Sequence, residues 1–266
     1  MRIFKRIIRI VVGQEDGTAL AIEKLFMEIE VKKFLSGKPN EGFGRIYNLS
    51  ETSENQIREK GIRIRIFAGY DGQPVLLHDG DIRRVDRDGF GKLNRITTIN
   101  IGGNVAKLSS AFFNKSYSGQ VAVKQIVADA VPSFGIDAIN IDQIPDNAFL
   151  YDYSFTGKTG DLLDEILNPI DVQWFENDNF INFSLKGSAL ESVVVLSKNT
   201  GLIGSPSVTE KGIKFKSALN GRITVTNRVK IESQAATGVY KVGDIAHTGD
   251  NRAGKFETNG IGLEIG

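Results

Sequence analysis

A Gly-Lys-Thr motif before a predicted helix is the first place where this 266-residue chain could do chemistry. Gly157-Lys158-Thr159 resembles the end of a phosphate-binding loop, in which backbone N–H groups and a lysine hold phosphates. The position that should carry the first glycine of such a loop is Asp152, and an acid there would repel phosphate. The motif therefore favours a turn followed by a helix cap.

A second motif contains carboxylates that could bind calcium. Asp86-Arg87-Asp88-Gly89 resembles the start of a calcium loop, but an EF-hand requires a glutamate at its twelfth position. That position is Thr97. A solvated hairpin turn is the favoured interpretation.

Histidine is scarce, which limits metal and nucleophilic chemistry. His78 and His247 are the only two histidines, and each stands beside a predicted turn. The sequence leaves a zinc site or a Ser-His-Asp triad open. No Gly-x-Ser-x-Gly nucleophile elbow accompanies the histidines, so a structural role is favoured for both.

Acids and aromatic residues in the middle of the chain offer a last candidate site. Asp161, Asp164 and Glu165 could supply the carboxylate pair of a wall hydrolase, and Trp174 with Phe175 could stack on a sugar. Acids in a first helical turn also complement the helix dipole, and paired aromatics more often pack against a helix. We predict no catalytic, cofactor-binding or metal-ligating residue.

Composition excludes several classes of protein. The chain has 33 Lys and Arg against 32 Asp and Glu, so a general nucleic-acid or anionic-membrane binder is not favoured. Cysteine is absent, which excludes disulfides and thiolate metal sites. No apolar run approaches the roughly 20 residues of a membrane span. The default interpretation is a soluble protein made in the cytoplasm.

Part of the sequence occurs twice. Gly80-Asp81-Ile82 precedes Gly91-Lys92-Leu93 at the same spacing at which Gly243-Asp244-Ile245 precedes Gly254-Lys255-Phe256. Each copy has a polar segment that predicts a turn, Asp86–Gly89 and Thr248–Asn251, and each follows an alternating strand and a hairpin. This pattern predicts a duplicated β-unit, which suggests a structural role more than a single active site.

The remaining strands and one helix follow from periodicity. Strands are predicted at 3–12, 25–33, 62–67, 75–77, 81–85 and 93–101, and later at 193–196, 213–215, 223–231, 239–245 and 255–263. Ile62, Ile64 and Ile66 should share one buried face. Residues 54–60 predict a short helix that ends at Gly61.

The middle of the chain has a different character. Apolar residues at helical spacing predict an amphipathic helix over 123–134, with Ser118 as N-cap, Gly135 as C-cap and Pro132 disturbing its last turn. A second helix should begin near Thr159 and stop at Pro169, and a hairpin should turn at Asn177-Asp178-Asn179. We predict a small α+β unit at 104–187, inserted between β domains at 1–103 and 188–266.

Several segments resemble one family. These segments are Ile64–Tyr70 leading into Leu76–Ile82, Val194–Pro206, Thr209–Ile213, Gly238–Val242 and His247–Asn251. They resemble baseplate hub proteins of contractile-tailed bacteriophages, and the middle unit is similar to the small α+β domain of those hubs. The likeness runs from about Ile3 to Thr258.

The resemblance implies a fold and an assembly. The fold would be mainly β with a smaller α+β insert, with two tail-tube-like β-barrel or sandwich units related by internal duplication. Three chains would form a ring of six such units, a homotrimeric hub without catalysis that adapts the six-fold tail tube to the three-fold central spike. Its partners would be further copies of itself, the tail tube protein, the central spike protein, baseplate wedge proteins and the tape measure protein.

The same resemblance implies a location and candidate contacts. DNA would pass through the lumen only in transit, and this chain would insert into no membrane. It would be found in the tail baseplate of the virion, and in the host cytoplasm during assembly. The loops Ser36–Gly42 and Thr200–Pro206 are candidate ring contacts. The alternatives are a tail-associated cell-wall hydrolase and a carbohydrate- or receptor-binding tail-tip module, for which Trp174 should be exposed.

Overall fold

The structure is a computed structural model that describes residues 5–14, 17–70, 74–89, 95–189, 192–210 and 212–265. The chain is mainly β with a few helices, as the sequence predicts. The repeated Gly91-Lys92-Leu93 and the hairpin turn expected at 71–73 lie outside the described residues.

The strands divide into three consecutive groups. The first group is β1 Arg6–Gln14, β2 Ala19–Ile22, β3 Met27–Lys33, β4 Glu41–Tyr47, β5 Gly61–Tyr70, β6 Val75–Asp88 and β7 Ile96–Gly102. The middle group is β8 Phe112–Ser116, β9 Gln120–Ala122, β10 Asp137–Ile139, β11 Phe149–Tyr151, β12 Ser154–Lys158, β13 Val172–Asn177 and β14 Phe180–Leu185. The last group is β15 Val193–Ser197, β16 Ser207–Thr209, β17 Gly212–Ala218, β18 Arg228–Glu232, β19 Thr237–Asp250 and β20 Phe256–Glu264.

In the described part of the chain, four α-helices connect or cover these strands. They are α1 Glu51–Lys60, α2 Val105–Ser110, α3 Val123–Ala130 and α4 Thr159–Leu167. Helix α1 begins before the predicted residue 54 because the Ser50 side chain caps it, accepting a hydrogen bond from the Ser53 N–H. Short 3₁₀ turns follow α3 at Val131–Phe134 and α4 at Asn168–Ile170.

The amphipathic helix of the middle segment is confirmed from its first residue Val123, but its predicted N-cap is wrong. All of its predicted apolar positions are buried, and Gly135 closes it in the left-handed conformation with φ 60°. Ser118 is not the N-cap, because β9 intervenes and Ala122 occupies that position. Pro132 sits in the 3₁₀ turn, where a missing N–H is tolerated.

The two outer groups of strands have the same order in one large sheet. The first set runs β3-β4-β7-β6-β5-β1, and the second runs β16-β17-β20-β19-β18-β15. Each of these strands thus has a counterpart at the same place in chain order, as a duplicated unit requires, whereas β2, which pairs with β1, has none. The sets differ at one end, since β1 lies antiparallel to β5 and β15 lies parallel to β18.

Two long strands replace the predicted polar turns. Strands β6 and β19 each have 14 residues and continue through Asp88 and Asp250. The predicted turns at Asp86–Gly89 and Thr248–Asn251 are therefore wrong for their first three residues, which are strand residues that end at Asp88 and Asp250. Cross-strand partners on β7 and β20 keep this backbone extended. Similarly, β5 buries Ile64 and Ile66 but leaves Ile62 exposed at its start.

Three apolar clusters hold the chain together. One lies within the first strand set but also includes Leu219 and Phe256 from the second. Another lies within the second set and includes Phe175 from β13. The third belongs to the middle segment, where α3 and α4 cover the sheet β10-β14-β13. Residues of the second set thus complete the first cluster, and Phe175 of the middle segment completes the second.

The predicted hairpin of the middle segment is confirmed. Strands β13 and β14 pair around Asp178 and Asn179, which have φ of 50° and 70°. These left-handed values suit Asn and Asp in a two-residue turn. Among the helices that the structure describes, none is long and apolar enough to cross a bilayer.

Candidate assembly interface

Strand β19 joins the two strand sets because it changes partner along its length. Its first part, Thr237–Lys241, pairs with β18 of the second set. After a register shift between Val242 and Ile245, its last part, Ile245–Asp250, pairs antiparallel with β3 of the first set. One continuous backbone therefore belongs to both sets, and the sheet crosses from one to the other without a break.

Strand β6 occupies the corresponding place in the first set. Its first part, Val75–Asp81, pairs with β5, and its last part, Asp81–Asp88, pairs with β7. On the side where β19 has β3, no strand in the described part of the chain pairs with Ile82–Asp88. Backbone groups on such an edge are a ready template for another strand.

In the described part of the chain, β2, β15 and β16 each pair with one strand only, and β16 is thus another open edge of the large sheet. It pairs with β17 on one side, and no described strand lies on its other side. Val208 lies opposite Ile213, which is fully buried, yet Val208 itself is 74% exposed. A strand that paired with this edge would cover the exposed apolar side chain on the core side of the sheet.

The predicted contact loops behave differently from each other. Ser36–Gly42 packs within the chain, because Gly37 lies against the Trp174 ring and Gly42 of β4 pairs with Val31 of β3. The Thr200–Pro206 loop leads directly into β16, and its Ile203 is exposed. Sequence reasoning missed Ser207–Thr209 itself. The available signal was Pro206, which often stands at the start of an edge strand.

A buried ion pair fixes the first strand set to the middle segment. Lys33 at the end of β3 is 2% exposed, and its Nζ lies 2.7 Å from the Asp178 carboxylate in the turn between β13 and β14. Breaking a buried pair by removing one partner strands the other charge in the interior. The contact therefore depends on both residues being present.

Glu176 lies fully buried beside this pair. Its Oε1 accepts hydrogen bonds from the Asn104 side chain at 3.3 Å and from the Asn179 N–H at 3.1 Å. Its backbone carbonyl accepts a third bond, from Asn40. Burial raises the pKa of the Glu176 carboxyl. These polar contacts connect β4, α2 and β13 at the junction of the first set with the middle segment.

A buried lysine makes the matching connection from the second set. Lys241 of β19 is fully buried, and its Nζ donates to the Ser184 hydroxyl at 2.9 Å and to the Leu185 carbonyl at 2.8 Å. Desolvation lowers the pKa of Lys241 to about 8. Each strand set therefore sends one lysine to the β13–β14 hairpin, and the hairpin links both sets.

The histidines are core residues. Both are 1% exposed, and the His247 Nδ1 lies 2.9 Å from the Thr258 hydroxyl. Burial, with the nearby charge of Lys33, lowers the pKa of each histidine to about 3. They are neutral at neutral pH and face no solvent. Among the described residues, no three His, Asp or Glu side chains gather to hold a metal.

The candidate carboxylates and Trp174 have structural roles. The Trp174 Nε1 donates to Asp164 at 2.8 Å, and the Tyr153 hydroxyl donates to Glu165 at 2.8 Å. Trp174 is 5% exposed and stacks on Phe134, so the exposure required by the receptor-binding alternative is wrong. Asp161 is exposed in the first turn of α4.

The Gly-Lys-Thr motif and the acidic motif at Asp86–Gly89 also contribute residues to strands. Gly157 and Lys158 are extended residues of β12 and form no phosphate-binding loop. Asp86 pairs with Arg84 at 2.9 Å and accepts a hydrogen bond from Asn100 at 2.7 Å. Both motifs therefore have structural partners in the described chain.

Solved structures with this fold are phage and prophage tail proteins. The tail protein from Neisseria meningitidis MC58 aligns with a TM-score of 0.67 at 9% identity, over 98% of this chain and 97% of that one. The 43 kDa tail protein of prophage MuSo2 from Shewanella oneidensis gives 0.64 at 8% identity, over 97% and 98%.

A secretion-system component shares the fold as well. The E. coli c3393 protein, a component of the type VI secretion system, aligns with a TM-score of 0.59 at 12% identity, over 91% of this chain and 74% of that one. No curated protein matches the sequence. The family described as baseplate hub gp41 matches residues 7–260, so the chain belongs to this family of structural proteins of the bacteriophage tail baseplate.

Proposed function

We propose that the chain is a homotrimeric hub that adapts the six-fold tail tube to the three-fold central spike. The observation that carries this proposal is the identical strand order of the two sets, β3-β4-β7-β6-β5-β1 and β16-β17-β20-β19-β18-β15. Two similar units per chain become six when three chains close. Closure also removes exposed sheet edges, which a stable assembly must cover.

The proposal includes the domain division and the partners. Residues 1–103 and 188–266 would be the tube-like β domains, and 104–187 the small middle domain. The hub would contact the tail tube, the central spike and the wedge proteins. Its lumen would pass the tape measure protein and then DNA in transit. The near balance of 33 basic and 32 acidic residues suits a wall that must not retain DNA.

The proposal assigns no catalysis to this chain. Asp164 and Glu165 accept hydrogen bonds from Trp174 and Tyr153, which supports structural roles for these two carboxylates. A hydrolase of the glycosidase class needs two carboxyls flanking an open substrate site. Incubating the purified chain with host cell walls should release no soluble fragments, and release that Glu165→Gln abolishes would contradict this assignment.

The oligomeric state tests the proposal directly. Light scattering over a concentration series should give a particle of three times 29.2 kDa. Electron micrographs of the same fraction should show rings with a central opening. A chain that stays monomeric at every concentration, or forms a dimer, would contradict the self-assembling homotrimer.

A further inference from the structure

We infer that Ile82–Arg84 of β6 in one copy pairs antiparallel with β16, Ser207–Thr209, of the neighbouring copy. The inference rests on the proposed homotrimer and specifies how its copies meet. The template is within the chain, where the last part of β19 pairs with β3. Since β6 corresponds to β19 and β16 corresponds to β3, the same contact between copies would use these two edges.

The alternative of pairing within one chain is ruled out by the observed topology. Strand β3 already occupies the edge of β19, so the two sets meet once inside each chain. Of the edges that stay open among the described strands, those on β6 and β16 are the counterparts of the two that meet inside the chain. One copy thus presents a β6 edge and a β16 edge, and a head-to-tail contact between such edges closes a ring.

The register on the β6 side follows from the repeated Gly-Asp-Ile triplet. Ile82 lies opposite Ile101 of β7, as Ile245 lies opposite Gly260 of β20. The bulge of β6 follows Ile82, whereas that of β19 precedes Ile245, so the next pair decides the register. Arg84 lies opposite Asn100 as Ala246 lies opposite Asn259, and Arg84 is therefore the counterpart of Ala246. In the template, Ile245 and Ala246 face two lysines of β3, Lys33 and Lys32.

The register on the β16 side follows by stepping across the sheet. Lys32 lies opposite Glu41 of β4, and Glu41 lies opposite Gly102, the residue after Ile101 in β7. Ser207 lies opposite Lys214 of β17, and Lys214 lies opposite Ile261, the residue after Gly260 in β20. Ser207 is thus the counterpart of Lys32, and Val208 of Lys33. The transferred register places Ser207 opposite Arg84, and Val208 opposite Ile82.

Burial and exposure agree with this register. Val208 is 74% exposed on the face that buries Ile213, and Ile82 is half-buried at the rim of the first core. Placed opposite each other, the two apolar side chains cover one another. Arg84, whose side chain is 73% exposed, and Ser207 face outward on the other side of the sheet, as Ala246 and Lys32 do in the template.

Engineered cysteines test the pairing without background, because the natural chain has no cysteine. Residues directly opposite in an antiparallel pair have Cα atoms about 4.5–5.5 Å apart, which a disulfide can span. The variant Arg84→Cys/Ser207→Cys should form covalent dimers and trimers under mild oxidation. Mixing Arg84→Cys protein with Ser207→Cys protein should stop at covalent dimers that contain one chain of each.

A matched pair and the particle mass separate the possible failures. The control variant is Arg84→Cys/Ser154→Cys. Both of its sites are exposed, but Ser154 lies on the middle segment, away from the inferred contact, so this variant should form no crosslink between copies. A reduced trimer whose 84/207 pair does not crosslink would overturn the strand pairing and leave the homotrimer standing. Equal crosslinking by the control pair would also overturn the pairing. A monomer in light scattering would overturn the homotrimer and the pairing together.

Discussion

At the scale of single residues, the interior of this hub contains ionisable groups that a core would normally exclude. Lys33, Lys241, Glu176 and both histidines are buried. Most of them lie where the β13–β14 hairpin meets a strand set, and the lysines and Glu176 have hydrogen-bond or ion-pair partners. Such groups contribute little net stability but penalise wrong arrangements of the parts. They therefore specify the arrangement.

The buried histidines make the fold sensitive to acid. Their pKa is about 3 in the folded chain against an ordinary value of 6.5, so between these limits the unfolded chain binds more protons. The free energy of unfolding should thus fall as pH drops from 6.5 toward 3, by up to about 1.4 kcal/mol per pH unit for each histidine. Urea denaturation from pH 7 to pH 5 measures this slope.

His78→Leu provides the comparison for that slope. Neither ring nitrogen of His78 has a hydrogen-bond partner among the described residues, so an apolar substitute leaves no group unsatisfied. The variant should lose part of the slope and gain stability relative to the natural chain as pH falls. Identical slopes in the two proteins would show that His78 does not titrate as its burial requires.

At the scale of elements, the β13–β14 turn should be a stability determinant. Asp178→Asn keeps a residue that tolerates the left-handed conformation but removes the charge facing Lys33. We expect a loss of about 2 kcal/mol in the free energy of unfolding, measured by urea denaturation. Glu232→Gln, which breaks the exposed pair with Lys230, should change it by less than about 0.5 kcal/mol. Equal effects would contradict a special role for Lys33–Asp178.

The sequence predicted elements whose signals are local. The amphipathic helix α3 and the hairpin at Asp178 follow from apolar spacing and turn residues, and both are confirmed. The ends of β6 and β19 did not follow, because Asp and Gly signal turns while cross-strand partners extend the strands. The burial of Lys33 and Lys241 depends on which distant elements meet, which no local pattern records.

The candidate interface was predictable only in its principle. The duplicated Gly-Asp-Ile triplet indicated two similar units, and the strand order agrees with it. The edges on β6 and β16 could not be named from sequence, since an edge is defined by the strands that are missing beside it. Val208 can be assigned to the core side of the sheet, and so to the candidate contact, only once its cross-strand neighbour Ile213 is known to be buried.

At the scale of the whole molecule, assembly should depend on one exposed apolar side chain. Val208→Asp places a charge where the inferred contact is apolar, so the trimer should weaken at least about tenfold while the monomer stays folded. Val239→Asp is the matched control, because Val239 is also an exposed strand valine, at 44%. Light scattering at several concentrations measures both. Equal weakening, or none, would contradict the contact.

Strand β19 also determines how the chain carries mechanical load. A strand of 14 residues spans about 46 Å, and this one is bonded to the second set near its start and to the first set near its end. A pull directed along β19 loads the six residue pairs with β3 in shear, all at once, whereas a sideways pull would open them one by one. Tension applied at one end of this strand thus reaches the other through covalent bonds.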